Sequence, residues 1–283
     1  GNNFIERLFA TTMPAPFMSV VMNDCVDQAT DYHNGGARYN PTYIQGVGLG
    51  TLTDALAAIK LHVFDEGNIS MSDLIAAMDD NFEGSENLRL MLANKTPAYG
   101  NDDDYADELA VRAFDAYYDV VNGRPNTKGG YYRVNLLPTT VHIYFGEVTG
   151  AMPNGRKAGV SLSEGISPTQ GADLHGPTAV LKSASRIDHV RTGGTLLNLK
   201  FTPQILAGDG YLHLGHLARS YFELDGHHVQ FNVVDIETLR RAQANPRDYK
   251  DLIVRVAGYS DYFVDIGAEL QDEIISRTQH ESL

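Results

Sequence analysis

The chain alternates between segments of one-sided apolar periodicity and short runs of branched or aromatic residues. Leu52, Ala55, Leu56, Ile59 and Val63 recur at i, i+3, i+4 spacing. That pattern predicts an amphipathic helix over Thr51 to Phe64, stopped by Gly67. Ser70 suits the N-cap of the next helix, with Asp73 in its first turn, where a carboxylate answers the helix dipole. Asn81 to Ala93 predicts a further helix, ended by Thr96-Pro97 because the residue before proline is driven from the α region. Asp104 to Val121 has an acidic start, an apolar interior and Asn122-Gly123 as a stop. Ile236 to Asn245 and Asp265 to Thr278 complete the predicted helices.

Strands are predicted at Tyr131 to Leu137, Val141 to Phe145 and Val229 to Val234, all rich in β-branched and aromatic residues. Gly146 to Gly194 is dense in Gly, Pro, Ser and Thr and reads as a long loop, a feature usually tied to function. Helices alternating with short buried strands imply an α/β fold with a mixed or parallel sheet.

At 283 residues, 43% of them hydrophobic, the chain can bury one large core or two small ones. Lys+Arg 22 against Asp+Glu 36 gives a net charge of −14, which argues against nucleic-acid and anionic-membrane partners. No apolar run approaches the ~18 residues that span a bilayer. The one cysteine, Cys25, excludes an internal disulfide framework and a cysteine metal cluster, and the cytosol is the simplest compartment. The chain opens Gly1-Asn2-Asn3-Phe4 without Met or a signal-peptide pattern. The expectation is therefore a processed chain or a piece of a longer protein.

Several motifs read as structural. Asp102-Asp103-Asp104 precedes a helix and serves as cap and dipole partner. Neighbouring strand residues point apart, so His227-His228 is a poor chelate, and no metal site is expected. Gly155-Arg156-Lys157 lacks the spacing of a P-loop. Cys25 reads as a small buried hydrophobe.

The segment Asp251 to Ser260 ends an apolar, strand-like run in Ala257-Gly258-Tyr259. By composition this is a strand entering a turn, where glycine supplies positive φ. The spelling Arg255-Val256-Ala257-Gly258-Tyr259, shortly before an amphipathic helix at 270–278, resembles the radical-bearing loop of the glycyl radical enzymes. Three further stretches agree with that family, in its order. They are Gly35-Gly36-Ala37-Arg38-Tyr39-Asn40, then Gly150 to Gly159 with Ser163-Glu164-Gly165-Ile166-Ser167-Pro168, then Gly226-His227-His228-Val229-Gln230-Phe231-Asn232-Val233-Val234.

The resemblance implies the C-terminal half of a ten-stranded α/β barrel carrying the glycine-bearing finger loop. Residues 1–150 would form the later part of the barrel domain and residues 151–283 the glycyl radical domain. Gly258 would hold the radical, supported by Arg255, Val256, Ala257 and Tyr259. A Cα radical between an amide nitrogen and a carbonyl is stabilised by both, and glycine lets it flatten. A buried loop would keep air and water away. The radical would be relayed to a thiyl cysteine in a Gly-Cys-Val-Glu type loop. Asn23-Asp24-Cys25-Val26-Asp27 lies at a different family position, so that cysteine is expected upstream and this chain alone is expected to be inactive.

The implied function is radical cleavage of a C–O, C–N, C–S or C–C bond in a small molecule. Diol dehydration, choline trimethylamine loss, isethionate sulfite loss and arylacetate decarboxylation stay open, with the isethionate type nearest. No bound cofactor is implied beyond the glycyl radical itself. A separate S-adenosylmethionine and iron–sulfur activating enzyme is implied, as are a homodimer and an anaerobic location in the cytosol or a bacterial microcompartment. Arg133, Asn135, Thr139 and Thr140 are candidate pocket residues. Arg133 and Asn135 share a strand face, and a guanidinium suits an anionic substrate; pairing of Arg133 with an acidic side chain is the plainer alternative. A second reading is a stand-alone spare part, or a non-catalytic subunit, that docks on a full-length partner.

Overall fold

The computed structural model describes residues 1–281. The first helices are α1 (Asn2–Thr12), α2 (Pro16–Val20) and α3 (Asn23–Asp27), followed by β1 (Thr42–Gln45) and α4 (Leu49–Ala58). Next come α5 (Met71–Asp79), α6 (Glu86–Asn94), α7 (Asp104–Val121), β2 (Tyr132–Asn135), α8 (Val141–Val148) and α9 (Pro177–Ser185). The chain then forms β3 (Asn198–Phe201), α10 (Gly210–Glu223), β4 (Gln230–Val233) and α11 (Ile236–Ala244). It closes with β5 (Ile253–Arg255), β6 (Ser260–Tyr262), α12 (Ala268–Ser276) and β7 (Gln279–His280).

Two compact units interleave along the chain: Gly1–Ile44 with Ala116–Asn135, and Gln45–Asp115 with the chain from Leu136 onward. The first unit is tied by half-buried carboxylates rather than by a large core. Glu6 accepts from the Thr127 amide (3.1 Å) and hydroxyl (2.7 Å), and Asp31 from the amides of Ala15 and His33 and the hydroxyl of Ser19. Cys25 is buried in α3, as expected of a small apolar side chain. Phe4, Met13, Phe17 and Val20, on and between α1 and α2, and Val21 just after α2, stay exposed.

The second unit holds a parallel sheet of order β4-β3-β7, with Asn198 opposite Gln230 and Phe201 opposite His280. Leu196, Val234, Leu239, Val254, Val256, Phe263 and Ile274 form one core cluster, joining β5 and the residue after β4 to α11 and α12. A second cluster of Ala58, Leu74, Phe82 and Leu92 packs α4 to α6. Ser70 caps α5, its hydroxyl accepting from the Asp73 amide at 3.1 Å.

Several predicted elements change. Val141 to Phe145 is the first part of helix α8, not a strand. Gly146 of that helix backs onto Val160 so closely that a Cβ would lie 2.4 Å from its carbonyl oxygen, and this packing overrides the β-branched composition. The helix foreseen from Asn81 begins at Glu86, because Asn81 and Phe82 turn through φ +52° and +60°. Helix α9 interrupts the stretch read as loop. Helices α1 and α10 and strand β3 lie where no element is predicted.

Candidate active site

Strands β5 and β6 pair antiparallel, Ile253 with Tyr262, Val254 with Asp261 and Arg255 with Ser260. The Val256 amide donates to the Tyr259 carbonyl at 2.9 Å, leaving Ala257-Gly258 as a two-residue loop. Gly258 adopts φ +83° while Ala257 does not enter the positive-φ region. Positive φ at only the second loop residue is the type II pattern, which selects glycine there.

Val256 and Ala257 are buried, but the tip is not: Gly258 and Tyr259 are exposed. The hairpin buries its stem on the core, and among the described residues nothing covers its tip. A Cβ on Gly258 would meet only Leu196 Cδ1, at 3.6 Å. Steric space at this Cα is therefore open, and the backbone angle is what demands glycine.

The hairpin forms its own two-stranded sheet, separate from β4-β3-β7. Carboxamides bridge the two. Asn232 makes a bidentate contact with the Arg255 peptide groups, accepting from the amide and donating to the carbonyl, each at 2.7 Å. Gln230 Oε1 accepts from the Gly258 amide at 3.1 Å and from Arg255 Nη2 at 3.2 Å. Gln230 Nε2 donates to Asn198 Oδ1 and, at 3.3 Å, to the Val256 carbonyl. That carbonyl also accepts from Asn198 Nδ2 (3.3 Å) and Arg277 Nη1 (3.2 Å). Arg255 Nη1 turns to Ser260 Oγ at 3.1 Å.

A buried charged layer lies behind. Arg277 grips Glu273 through Nη2 at 2.7 Å and through Nε at 3.1 Å to both oxygens. Burial alone would raise Glu273, but the Arg277 guanidinium, with His142 3.4 Å away, holds it well below the usual carboxylate range. Glu164 accepts from Ser167 Oγ at 2.7 Å and from Asn198 Nδ2, while its Oε2 is buried without a partner. Burial pushes Glu164 up. Lys200 donates to the Ile275 and Ile274 carbonyls at 2.8 and 3.2 Å, closing the end of α12, and burial lowers it to about 8. A cavity of about 20 Å³, bounded in part by Glu164, Lys200, Arg277 and His280, sits within this layer.

Of the predicted pocket residues, Arg133 and Asn135 belong to the first unit, and Thr139 and Thr140 to the second. Arg133 is exposed and donates to Asn122 Oδ1 at 3.3 Å. Asn135 Oδ1 is buried without a partner. Thr139 is exposed at φ +53°, its hydroxyl on the Pro138 carbonyl, and Thr140 is the N-cap of α8. Among the described residues no group of three or more His, Cys, Asp or Glu side chains could hold a metal ion, and no helix is long and apolar enough to cross a membrane. Asn198, Gln230, Asn232, Glu164, Glu273 and Arg277 were missed as site residues. The signal for two of them was present, since Gln230 and Asn232 are spaced by two and so share a strand face.

Residues 1–146 match the family described as pyruvate formate lyase-like, and residues 162–264 the family described as glycine radical. The chain is 56% identical over 280 residues to trans-4-hydroxy-L-proline dehydratase of Clostridioides difficile, covering 99% of this chain and 36% of that protein. It is 41% identical over 287 residues to isethionate sulfite-lyase of Oleidesulfovibrio alaskensis, covering 100% of this chain and 34% of the relative. Identity is thus higher to a dehydratase than to this isethionate-type lyase. The crystal structure of hydroxyproline dehydratase from Clostridioides difficile superposes with a TM-score of 0.95, at 56% identity, over 99% of this chain and 36% of that one. The B12-independent glycerol dehydratase of Clostridium butyricum superposes with a TM-score of 0.94 at 43% identity, over 99% and 36% of the two chains. The chain spans about a third of the length of these relatives.

Proposed function

The chain belongs to the glycyl radical enzymes of the pyruvate formate lyase-like family, and from that premise we propose that it is the glycine-bearing part of a radical dehydratase that stores its radical on Gly258. One observation carries the assignment: in the two-residue loop of the β5–β6 hairpin only Gly258 takes positive φ, with an open Cα and its amide held by Gln230.

In this reading a separate activating enzyme, of the S-adenosylmethionine and iron–sulfur type, supplies a carbon radical. That radical takes one hydrogen atom, proton and electron together, from Gly258 Cα. The remaining electron is shared with the flanking amide nitrogen and carbonyl. Gly258 later recovers a hydrogen atom from a cysteine thiol, leaving a thiyl. The thiyl takes hydrogen from a substrate carbon beside the one bearing hydroxyl. Hydroxide and a proton leave as water, and return of the hydrogen atom restores the thiyl.

Cys25 is a buried residue of α3 in the first unit, its thiol pushed up by burial and by Asp31 and Asp24. The thiyl cysteine is therefore assigned to sequence other than this, and the chain alone is inactive. Residues 1–150 are the later barrel part and 151–283 the radical domain. In the complete enzyme Arg133 and Asn135 are assigned to substrate contact, with the unpartnered Asn135 Oδ1 as support for Asn135, and Thr139 and Thr140 are assigned to substrate contact on the second unit. The substrate class is a hydroxylated cyclic amino acid of the 4-hydroxyproline kind, on the strength of the 56% identity. The complete enzyme is a homodimer of the anaerobic cytosol or a microcompartment.

Anaerobic activation of the complete enzyme should give a glycyl doublet in electron paramagnetic resonance, and brief air exposure should then split the chain at Gly258. Activated enzyme should dehydrate 4-hydroxyproline and leave isethionate intact. A doublet that survives Gly258→Ala would refute the radical site, and turnover of isethionate alone would refute the substrate class.

A further inference from the structure

We propose that Gln230 is the positioning residue of the radical-bearing carbon. Its buried side-chain carbonyl holds the Gly258 N–H, and with Asn198 and Asn232 it docks the hairpin on the sheet through side chains alone. The proposal rests on the reading of Gly258 as the radical site.

The Gln230 carboxamide is saturated. Its oxygen accepts from Gly258 N and Arg255 Nη2, and its NH2 donates to Asn198 Oδ1 and the Val256 carbonyl. A carboxamide offers two acceptor sites and two donors, so all are used. Turning it over would set NH2 against the Gly258 N–H and the Arg255 guanidinium, and oxygen against two acceptors. Four partners therefore fix one orientation, with an acceptor facing the glycine amide. Asn232 clamps the Arg255 peptide groups from the same strand face.

The amide nitrogen is one of the two groups over which a glycyl radical spreads. An acceptor on its N–H raises electron density at nitrogen and strengthens the electron-releasing half of the stabilisation. Gln230 does this as a neutral group, without placing a charge beside the radical. It also restrains the amide plane, which must align with the flattening Cα for the electron to delocalise. The hairpin is not backbone-paired with β4, so this side chain is the direct hold on the radical residue.

The test uses the complete enzyme, activated anaerobically in D2O, with the deuteron quadrupole coupling of the radical's own amide read by electron–nuclear double resonance. In the wild type the coupling should be that of a hydrogen-bonded amide; a free-amide value would overturn the proposal without any variant. In Gln230→Met the coupling should move to the free-amide value. Radical per chain should fall about tenfold, the size expected for one buried hydrogen bond lost. A merely structural role would lower the melting temperature yet leave the coupling of any radical formed unchanged, and that result would also overturn the proposal. A wild type without a glycyl doublet, or a doublet persisting in Gly258→Ala, would fail the radical-site reading, and this one with it.

Discussion

Two glycines illustrate how differently the same residue type can be required. Gly258 needs its backbone angle and little else: φ is +83°, and the nearest obstacle to a Cβ is Leu196 Cδ1 at 3.6 Å. Gly258→Ala should therefore fold, at a cost of about 1–2 kcal/mol for a left-handed non-glycine residue. Its melting temperature should drop by only a few degrees while its radical signal vanishes. Gly165 needs space: a Cβ would lie 2.2 Å from the Leu196 carbonyl oxygen, at φ +50°. Gly165→Ala should cost about 3 kcal/mol, near the top of the usual range for one substitution. Thermal denaturation of the two variants side by side checks the contrast. The turn role of Gly258 is legible in the sequence, because a glycine after an apolar run has few other uses. The close approach at Gly165 is not, since it depends on where Leu196 arrives in the fold.

At the scale of elements, helix α12 is held from both ends of its chemistry. Lys200 closes its last carbonyls, and Arg277, just beyond it, joins Glu273, Glu164 and the Val256 carbonyl of the hairpin. Removing one member strands buried charge. Arg277→Met should destabilise the chain by about 3–5 kcal/mol, and adding Glu273→Leu and Glu164→Gln should recover most of it. Glu273 also sets an acid limit. Its folded pKa lies below the unfolded value, so its stabilisation is present above about pH 4.3 and is lost as pH falls through the folded value. In urea titrations, Glu273→Gln should remove that part of the acid dependence. The helices with strong signals were legible: α7 from its acidic start and Asn122-Gly123 stop, α11 and α12 from amphipathic spacing. Strand β3 was not, because all four residues of Asn198–Phe201 are buried although two are polar. In β4 the pattern is inverted. Gln230 and Asn232 point inward and Val233 outward, because the hairpin asks the sheet for hydrogen bonds there rather than apolar contact.

The whole molecule carries two features that no local pattern announces. One is a set of buried carboxylates lacking a full counter-charge. Burial raises Asp54 to about 7, despite bonds from the Tyr99 amide and Thr169 hydroxyl, and raises Asp107 to about 6. Both folded values exceed the unfolded ~3.9, so the folded state binds more protons in between, and stability falls as pH rises from about 4 toward 7. Asp54→Asn should flatten the upper part of that fall, measured as the denaturant midpoint across pH. The other feature is apolar exposure. Phe17 is 83% exposed and Phe4 70%, and β4 and β7 are sheet edges among the described residues. The chain expressed alone should bind a hydrophobic dye and self-associate, seen as mass growth in light scattering with concentration. A monodisperse monomer without dye binding would contradict this. The family's spelling made the glycine loop legible. The division that puts Arg133 and Asn135 in one compact unit and Thr139 and Thr140 in the other was not legible, because it rests on contacts between segments distant in sequence.

The side-chain docking of the hairpin also decides how its opening can be timed. The amides of Arg255 and Gly258 are bonded to the carboxamides of Asn232 and Gln230, not to a neighbouring strand. Such protons become free to exchange with solvent when the hairpin lifts away, with the parallel sheet beneath still intact. The amides of Leu199 and Phe201, buried within that sheet, wait for a larger opening. Two clocks are thus written into adjacent layers, and the ratio of their exchange rates measures how often the glycine leaves its seat.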